Sequence, residues 1–460
     1  MTHQDKKMNR RDFMKIVGIS TATTTAAIYG CDSKDANATD GGALGPVPTD
    51  KMTYRTFPNI GDRVSLLGYG CMRWPTIPAP DGKGEIIDQD AVNELVDYAI
   101  AHGVNYFDTS PVYVQGWSET ATGIALKRHP RQKVFIATKM SNFRSHTFES
   151  GLAMYRKSFE DLQTDYIDYY LLHAIGGGGV EAFNSRYINN GLLDFLMKER
   201  QAGRIRKLGF SFHGTVDVFD YLLSIHNEIH WDFVQIQLNY ADWNHSTGNN
   251  VDASYLYAEL AKLQIPSIIM EPLLGGRLSR VPDHVAARLK QQNPEGSVAS
   301  WAFRFAGTPP YVLTVLSGMT YMEHLQDNIR TYSPLVPLTE QDNEFLEETA
   351  QLLLKYPTIP CNDCKYCMPC PYGIDIPAVL LHYNKCVNEG NTPKSRGDDN
   401  YHKARRAFLV GYDRSVPKLR QASRCIGCNQ CLETCPQKIH ISRELHRIDR
   451  FVEQLKQDTL

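Results

Sequence analysis

Between residues 64 and 331, short apolar runs alternate with segments whose apolar positions recur every three or four residues. The runs at 64–70, 104–107, 133–138, 166–172, 207–210, 232–238, 265–270 and 311–316 read as strands, being short and apolar on both faces. The segments 88–102, 118–128, 147–162, 191–202, 215–226, 252–263, those between 283 and 306, and 321–331 read as helices. In the first of these, Ala91, Val92, Leu95, Val96 and Ala99 share one face. Strands followed by helices over about 270 residues predict an α/β fold, a (β/α)8 barrel. The alternative, a doubly wound sheet, calls for a G-x-G-x-x-G turn after its first strand, and none stands there. Beyond the barrel the periodicity is helical only: 340–356, a segment opened by Pro377 and ending near Glu389, 402–412 and 442–455.

The N-terminal segment has a different character. Met8-Asn9-Arg10-Arg11-Asp12-Phe13-Met14-Lys15 precedes a threonine-rich, mildly apolar stretch from Ile16 to Gly30. An arginine pair, a Phe two residues on and a mild apolar region read as a twin-arginine export signal. Cys31 follows Ile28-Tyr29-Gly30, which is similar to a lipoprotein cleavage box, so a lipid is expected on it. The organisation is therefore a signal over 1–31, a flexible tether over 32–51, the barrel over 52–335, and a linker helix with a second domain over 336–460. No apolar run reaches the roughly 18 residues that span a bilayer. Membrane contact is expected only through the signal or the lipid. With a net charge of −2 and no basic stripe, the chain is not expected to bind nucleic acid.

Eight of the eleven cysteines fall in two runs, Cys361-Asn-Asp-Cys364-Lys-Tyr-Cys367-Met-Pro-Cys370-Pro and Cys425-Ile-Gly-Cys428-Asn-Gln-Cys431-Leu-Glu-Thr-Cys435-Pro. The second has the C-x2-C-x2-C-x3-C-P spacing that ligates a [4Fe–4S] cluster; two intervening residues let three thiolates converge on one face of a cubane. A zinc site would show paired C-x2-C motifs or C-x2-C with His, and a disulfide framework belongs to short secreted chains; the two runs fit neither. The first run is one residue short before Cys370. This part of the chain resembles ferredoxin-like dicluster domains, small and mostly α-helical. In these the fourth Cys of each run ligates the other cluster. The resemblance implies two [4Fe–4S] clusters, one on Cys361, Cys364, Cys367 and Cys435, the other on Cys425, Cys428, Cys431 and Cys370. Cys71 and Cys386 stand apart and read as packing residues.

At the ends of the second, third and fourth predicted strands stand Asp108-Thr-Ser-Pro-Val-Tyr113-Val-Gln-Gly-Trp-Ser-Glu119, then Lys139, then Leu171-Leu172-His173. Active sites of such barrels lie where strands end and loops begin. These motifs resemble those of the aldo/keto reductase family over roughly residues 52–335. The resemblance implies that Tyr113 is the acid/base and that Asp108, Lys139 and His173 complete the catalytic set. Such chemistry has a physical reason. Reducing a carbonyl places charge on its oxygen, so a proton donor must stand there. Tyr titrates near 10 in water, and an adjacent ammonium such as Lys139, held by Asp108, would lower it. His173 would orient the carbonyl.

The same resemblance implies cofactor contacts from Ser211, Gln237, Leu273, Gly275, Ser317, Gly318, Asp327 and Asn328 to NADP(H) or NAD(H). Phe212 stands where relatives usually place Asn, and Met270 where they often stack an aromatic. No Arg or Lys occurs within 319–326 to pair a 2′-phosphate. The expected function is an oxidoreductase interconverting a small carbonyl compound and its alcohol, coupled to the clusters and to a redox partner protein. The alternative is a catalytically altered barrel serving as an electron-transfer or scaffold subunit of a cell-envelope redox complex. Export places the chain in the periplasm or anchored on the envelope side, where free nicotinamide nucleotide is expected to be scarce.

Overall fold

A computed structural model of the chain describes residues 45–460 apart from 83, 248 and 249. The expected export signal, over 1–31, and Cys31 lie outside the described residues. Everything below concerns the compact unit Val47–Leu460.

Eight parallel strands close into a barrel in sequence order: β1 Leu67–Gly70, β2 Tyr106–Asp108, β3 Phe135–Met140, β4 Ile167–Ile175, β5 Ile205–Phe212, β6 Phe233–Gln237, β7 Ser267–Met270 and β8 Val312–Ser317. Successive residues point to opposite sides. In β4, Tyr169 and Leu171 join Tyr106, Phe233, Ile268 and Leu313 in the barrel interior. Tyr170 and Leu172 instead pack outward with the helix layer. Both sides are buried, which is why the strands read as continuous apolar runs rather than as alternations.

The outer layer is α1 Gln89–Ala101, α2 Ser118–Leu126, α3 Phe148–Leu162, α4 Leu192–Gln201, α5 Val216–Ser224, α6 Ala253–Lys262, α7 Asp283–Gln292, α8 Val298–Gly307 and α9 Met322–Thr331. Side-chain oxygens of Asp88, Thr147 and Ser297 cap α1, α3 and α8 by accepting from Ala91, Ser150 and Ser300 amides. Then α10 Glu340–Leu354, opened by a Thr339/Asp342 capping box, leads away from the barrel. The dicluster part is built on α11 Ile376–Asn388, α12 Tyr401–Ser415 and α13 Ile441–Gln457, around a separate core of Val379, Phe408, Leu445 and Ile448. Among the described residues no helix is long and apolar enough to cross a membrane.

Two features depart from the sequence expectation. The run 64–70 is two elements: Val64–Ser65 pairs antiparallel with Tyr54–Arg55, and only Leu67–Gly70 enters the barrel. The hairpin carries Phe57 and Ile60 against the barrel's interior core. The segment after β4, without a predicted element, forms a short helix Gly179–Phe183 and a π turn Asn184–Ile188. It brings Arg186, whose Nη2 donates to the His173 carbonyl at 2.7 Å.

Candidate active site and cluster loop

β2 ends at Asp108, Lys139 is the penultimate residue of β3, and His173 lies near the end of β4. Tyr113 follows β2 in a turn where Val114 and Gln115 take positive φ values of 47° and 57°. All four side chains are buried. Lys139 Nζ donates to Asp108 Oδ1 at 2.5 Å and to the Thr109 carbonyl at 2.8 Å, and it lies 4.9 Å from the Tyr113 ring centroid. The Tyr113 and His173 rings meet edge to face at 5.8 Å. His173 Nδ1 lies 2.5 Å from Ser141 Oγ. When Ser141 donates to Nδ1, His173 Nε2 carries the ring proton outward.

Burial dominates the electrostatics. It pushes Asp108 up and Lys139 down, and the attraction within the pair opposes both shifts. Burial, with Lys139 and Arg186 beside it, holds His173 well below its usual range, so the ring is neutral. Tyr113 differs from expectation. Burial, Tyr366 and Asp108 push it well above the ordinary tyrosine value. The Lys139 ammonium spends its protons on Asp108 and Thr109, and its charge is balanced there. Tyr113 is therefore held as the phenol, the form a proton donor requires.

Tyr366, from the Cys364-Lys365-Tyr366-Cys367 segment, enters this site. Its hydroxyl lies 3.3 Å from His173 Nε2, and it acts on the Tyr113 phenol, pushing it up. Phe143 flanks it, with ring centroids 6.4 Å apart. An aromatic between two cysteines is visible in the sequence. Its entry into the barrel is not, because that depends on how the second domain docks.

The same loop crosses the residues expected to hold a nucleotide. Gly275 has φ +66°, and a Cβ there would run into the Asn362 backbone. Arg73 Nη2 donates to the Asn362 carbonyl at 2.8 Å, and Nη1 pairs with Asp363 at 3.2 Å. Arg73 also packs against Gly318, its Cδ 3.0 Å from where a Cβ would stand. Gln237 donates to Asp242 at 2.5 Å and accepts from Gln437 at 3.2 Å. Ser211 Oγ accepts from the Ala174 amide at 2.8 Å. Asn328 donates to Ser317 Oγ at 2.9 Å, and Asp327 accepts from Ser297 at 2.6 Å. Leu273 packs against the barrel's outer core. A nicotinamide nucleotide does not fit this arrangement: the loop backbone lies against Gly275, and Gln437 occupies Gln237.

The cysteines do suit iron–sulfur clusters. Cys361 and Cys364 feel the Cys435 thiol, and Cys367 feels Cys361, Cys364, Cys435 and, after them, Cys431. Cys425 and Cys431 feel Cys370 and Cys428. Cys435 thus acts chiefly on the first run and Cys370 on the second, as crossed ligation calls for. Burial pushes Cys361 to about 11 and Cys364 to about 12, so loading iron must release their protons. Among the described residues no group of three His, Cys, Asp or Glu could hold a single metal ion; a cubane takes one thiolate per iron and so spreads its ligands. Cys71 and Cys386 are buried, the first in the barrel's outer core and the second in the core of the dicluster part.

Comparison with known proteins agrees with this geometry. The aldo/keto reductase family profile matches residues 66–351, and a 4Fe-4S dicluster domain profile matches residues 360–440. L-galactose dehydrogenase of Arabidopsis thaliana is 27% identical over 322 residues, covering 66% of this chain and 95% of that protein. Protein tas of Escherichia coli K12 is 26% identical over 331 residues, covering 61% and 93%. Among solved structures, an aldo-keto reductase from Klebsiella pneumoniae in complex with NADPH superposes with a TM-score of 0.51 at 20% identity, over 66% of this chain and 96% of that one. A thermostable aldo-keto reductase bound to the inhibitor epalrestat gives 0.52 at 20% identity, over 65% and 100%. At these identities the structures speak to the fold, whereas the first profile spans well over half of the sequence. The chain belongs to the aldo/keto reductase family of oxidoreductases, and behind its barrel it carries a 4Fe-4S dicluster domain.

Proposed function

We propose that the chain interconverts a small carbonyl compound and its alcohol at Tyr113. One observation carries this reading: the Tyr366 hydroxyl reaches His173 Nε2 at 3.3 Å, with the Tyr113 ring edge to face against that His173, and so stands where a substrate oxygen would stand. Tyr113 donates the proton to the developing alkoxide in reduction and takes it back in oxidation. Neutral His173 orients the substrate oxygen through Nε2. Asp108 and Lys139 form a buried pair that fixes the floor beneath the Tyr113 ring. Two [4Fe–4S] clusters would supply single electrons, and NADP(H) or NAD(H) would supply hydride only with the Asn362 loop away from Gly275 and Gln437 away from Gln237. Cys361, Cys364, Cys367 and Cys435 would hold the cluster beside Tyr366; Cys370, Cys425, Cys428 and Cys431 would hold the other. The nucleotide reading draws on the NADPH-bound relative.

A redox partner protein would dock near Cys428, which is exposed beside Ile426 at 62% and in the same domain as Leu419 at 74% exposure. We place the mature protein in the periplasm, or anchored to the envelope through Cys31, on the strength of Arg10-Arg11. Replacing both arginines by Lys should leave the precursor in the cytoplasm; undisturbed export would remove that assignment.

The enzymatic reading is tested with the iron-loaded full chain under anaerobic conditions. Aldehydes and ketones are offered with NADH, NADPH or a reduced viologen dye, and the alcohol is measured. Alcohol from at least one substrate is expected. If no donor yields any, the second reading gains: an electron-transfer or scaffold subunit, favoured by the presence of Tyr366 in the substrate-oxygen position.

A further inference from the structure

We infer that the docked dicluster domain and a bound nicotinamide nucleotide exclude one another, because both use one cleft of the barrel. The inference rests on the proposed nucleotide dependence and adds a condition to it. Three contacts place the loop there. Tyr366 takes the oxygen position at His173 Nε2. The Asn362 backbone lies directly against Gly275, in a segment where Leu274, Gly275 and Gly276 all have positive φ. Gln437 donates to Gln237, the amide expected to hold the nicotinamide carboxamide.

Both polar atoms of the Asn362 side chain are buried without a hydrogen-bond partner. Arg73, at the end of the cleft between Gly318 and Asp363, pairs with the Asp363 carboxylate. The Asp363 carboxylate thus holds the arginine nearest Gly318, where a nucleotide phosphate would need a cation. Docking is also divided among separable polar contacts: Arg277 to Thr358 at 3.0 Å, Asn388 to the Arg280 carbonyl at 2.8 Å, and Asn250 to Gln437 at 3.0 Å. Such a seam can open without unfolding either core, since the dicluster part has its own. The docked state brings a cluster loop to Tyr113, and the undocked state frees the nucleotide cleft.

When only an undocked fraction can bind, apparent affinity falls by that fraction. Asp363→Ala combined with Gln437→Ala removes the Arg73 ion pair and the Gln237 hydrogen bond without touching a cysteine. Iron content and visible absorbance check that the variant is loaded; Tyr366→Ala is the reserve variant should it fail to load. NADPH and NADH are titrated calorimetrically into full-length, iron-loaded protein. The loosened variant should bind at least one of them roughly tenfold or more tightly than the wild type. Saturating nucleotide should also raise hydrogen exchange across 358–367 in the wild type. Equal affinity in both proteins, or wild-type binding that leaves exchange unchanged, would overturn the exclusion. Absence of binding to the loosened variant would overturn it too, since an open cleft should admit the nucleotide. Carbonyl turnover with the viologen donor is a separate readout, so loss of this inference and loss of the proposed activity are distinguishable.

Discussion

Tyr113→Phe should lower carbonyl turnover by roughly 10²–10⁴ while leaving the fold intact, the range set by a positioned general acid. The substitution keeps the ring and its edge-to-face contact with His173 and removes only the hydroxyl. Iron content and circular dichroism should match the wild type. Lys139→Met acts on the same unit by a different route. It removes both hydrogen bonds of the ammonium and leaves Asp108 as a buried carboxylate without its partner. Breaking such a pair costs about 3–5 kcal/mol, so stability should fall as well. Asp108→Asn with Lys139→Met removes both charges and should recover part of that loss. In turnover, adding Lys139→Met to Tyr113→Phe should cost little more, because residues acting as a unit are not additive. Wild-type rates in Tyr113→Phe would remove the acid/base assignment.

The second large effect is on iron. A fully loaded chain should hold about eight iron atoms, four for each cluster. Crossed ligation makes a reciprocal prediction. Cys361→Ala with Cys435→Ala disables one cluster only, and about four iron atoms should remain. Cys361→Ala with Cys370→Ala strikes both, and iron should fall towards zero. If the fourth cysteine served its own run, the two outcomes would be exchanged. The thiol groupings favour the crossed result, since Cys435 acts on Cys361, Cys364 and Cys367 while Cys370 acts on Cys425 and Cys431. Loss of the first cluster should also loosen the domain, because Cys435 is part of its core.

The barrel was legible because its strands are buried on both sides and its helices have one apolar face. Both patterns survive in a single sequence, as at Tyr169 to Leu172 and at Val92 to Val96. The positions of Asp108, Lys139 and His173 were legible for the same reason: each marks a strand end. Local signals failed where a contact joins distant parts of the chain. Nothing near Ser65 tells that it pairs with Tyr54 before the barrel begins. Lys139 pointed to a lowered Tyr113, but burial outweighs an ammonium already balanced by Asp108. Tyr366 was quoted within the cysteine run and given no role, because its neighbours Tyr113 and His173 are supplied by the other domain.

The central claim, that a carbonyl centre built on Tyr113 is coupled to the dicluster domain, is tested by electron paramagnetic resonance of the reduced clusters. Full-length protein is loaded with iron, reduced anaerobically without nucleotide, and mixed with a carbonyl compound that it turns over. One carbonyl needs two electrons and two protons, and two one-electron clusters can supply the electrons. The account predicts that the reduced-cluster signal decays as alcohol forms in the wild type and persists in Tyr113→Phe. A signal that persists in the wild type, or that decays equally fast in Tyr113→Phe, would contradict it.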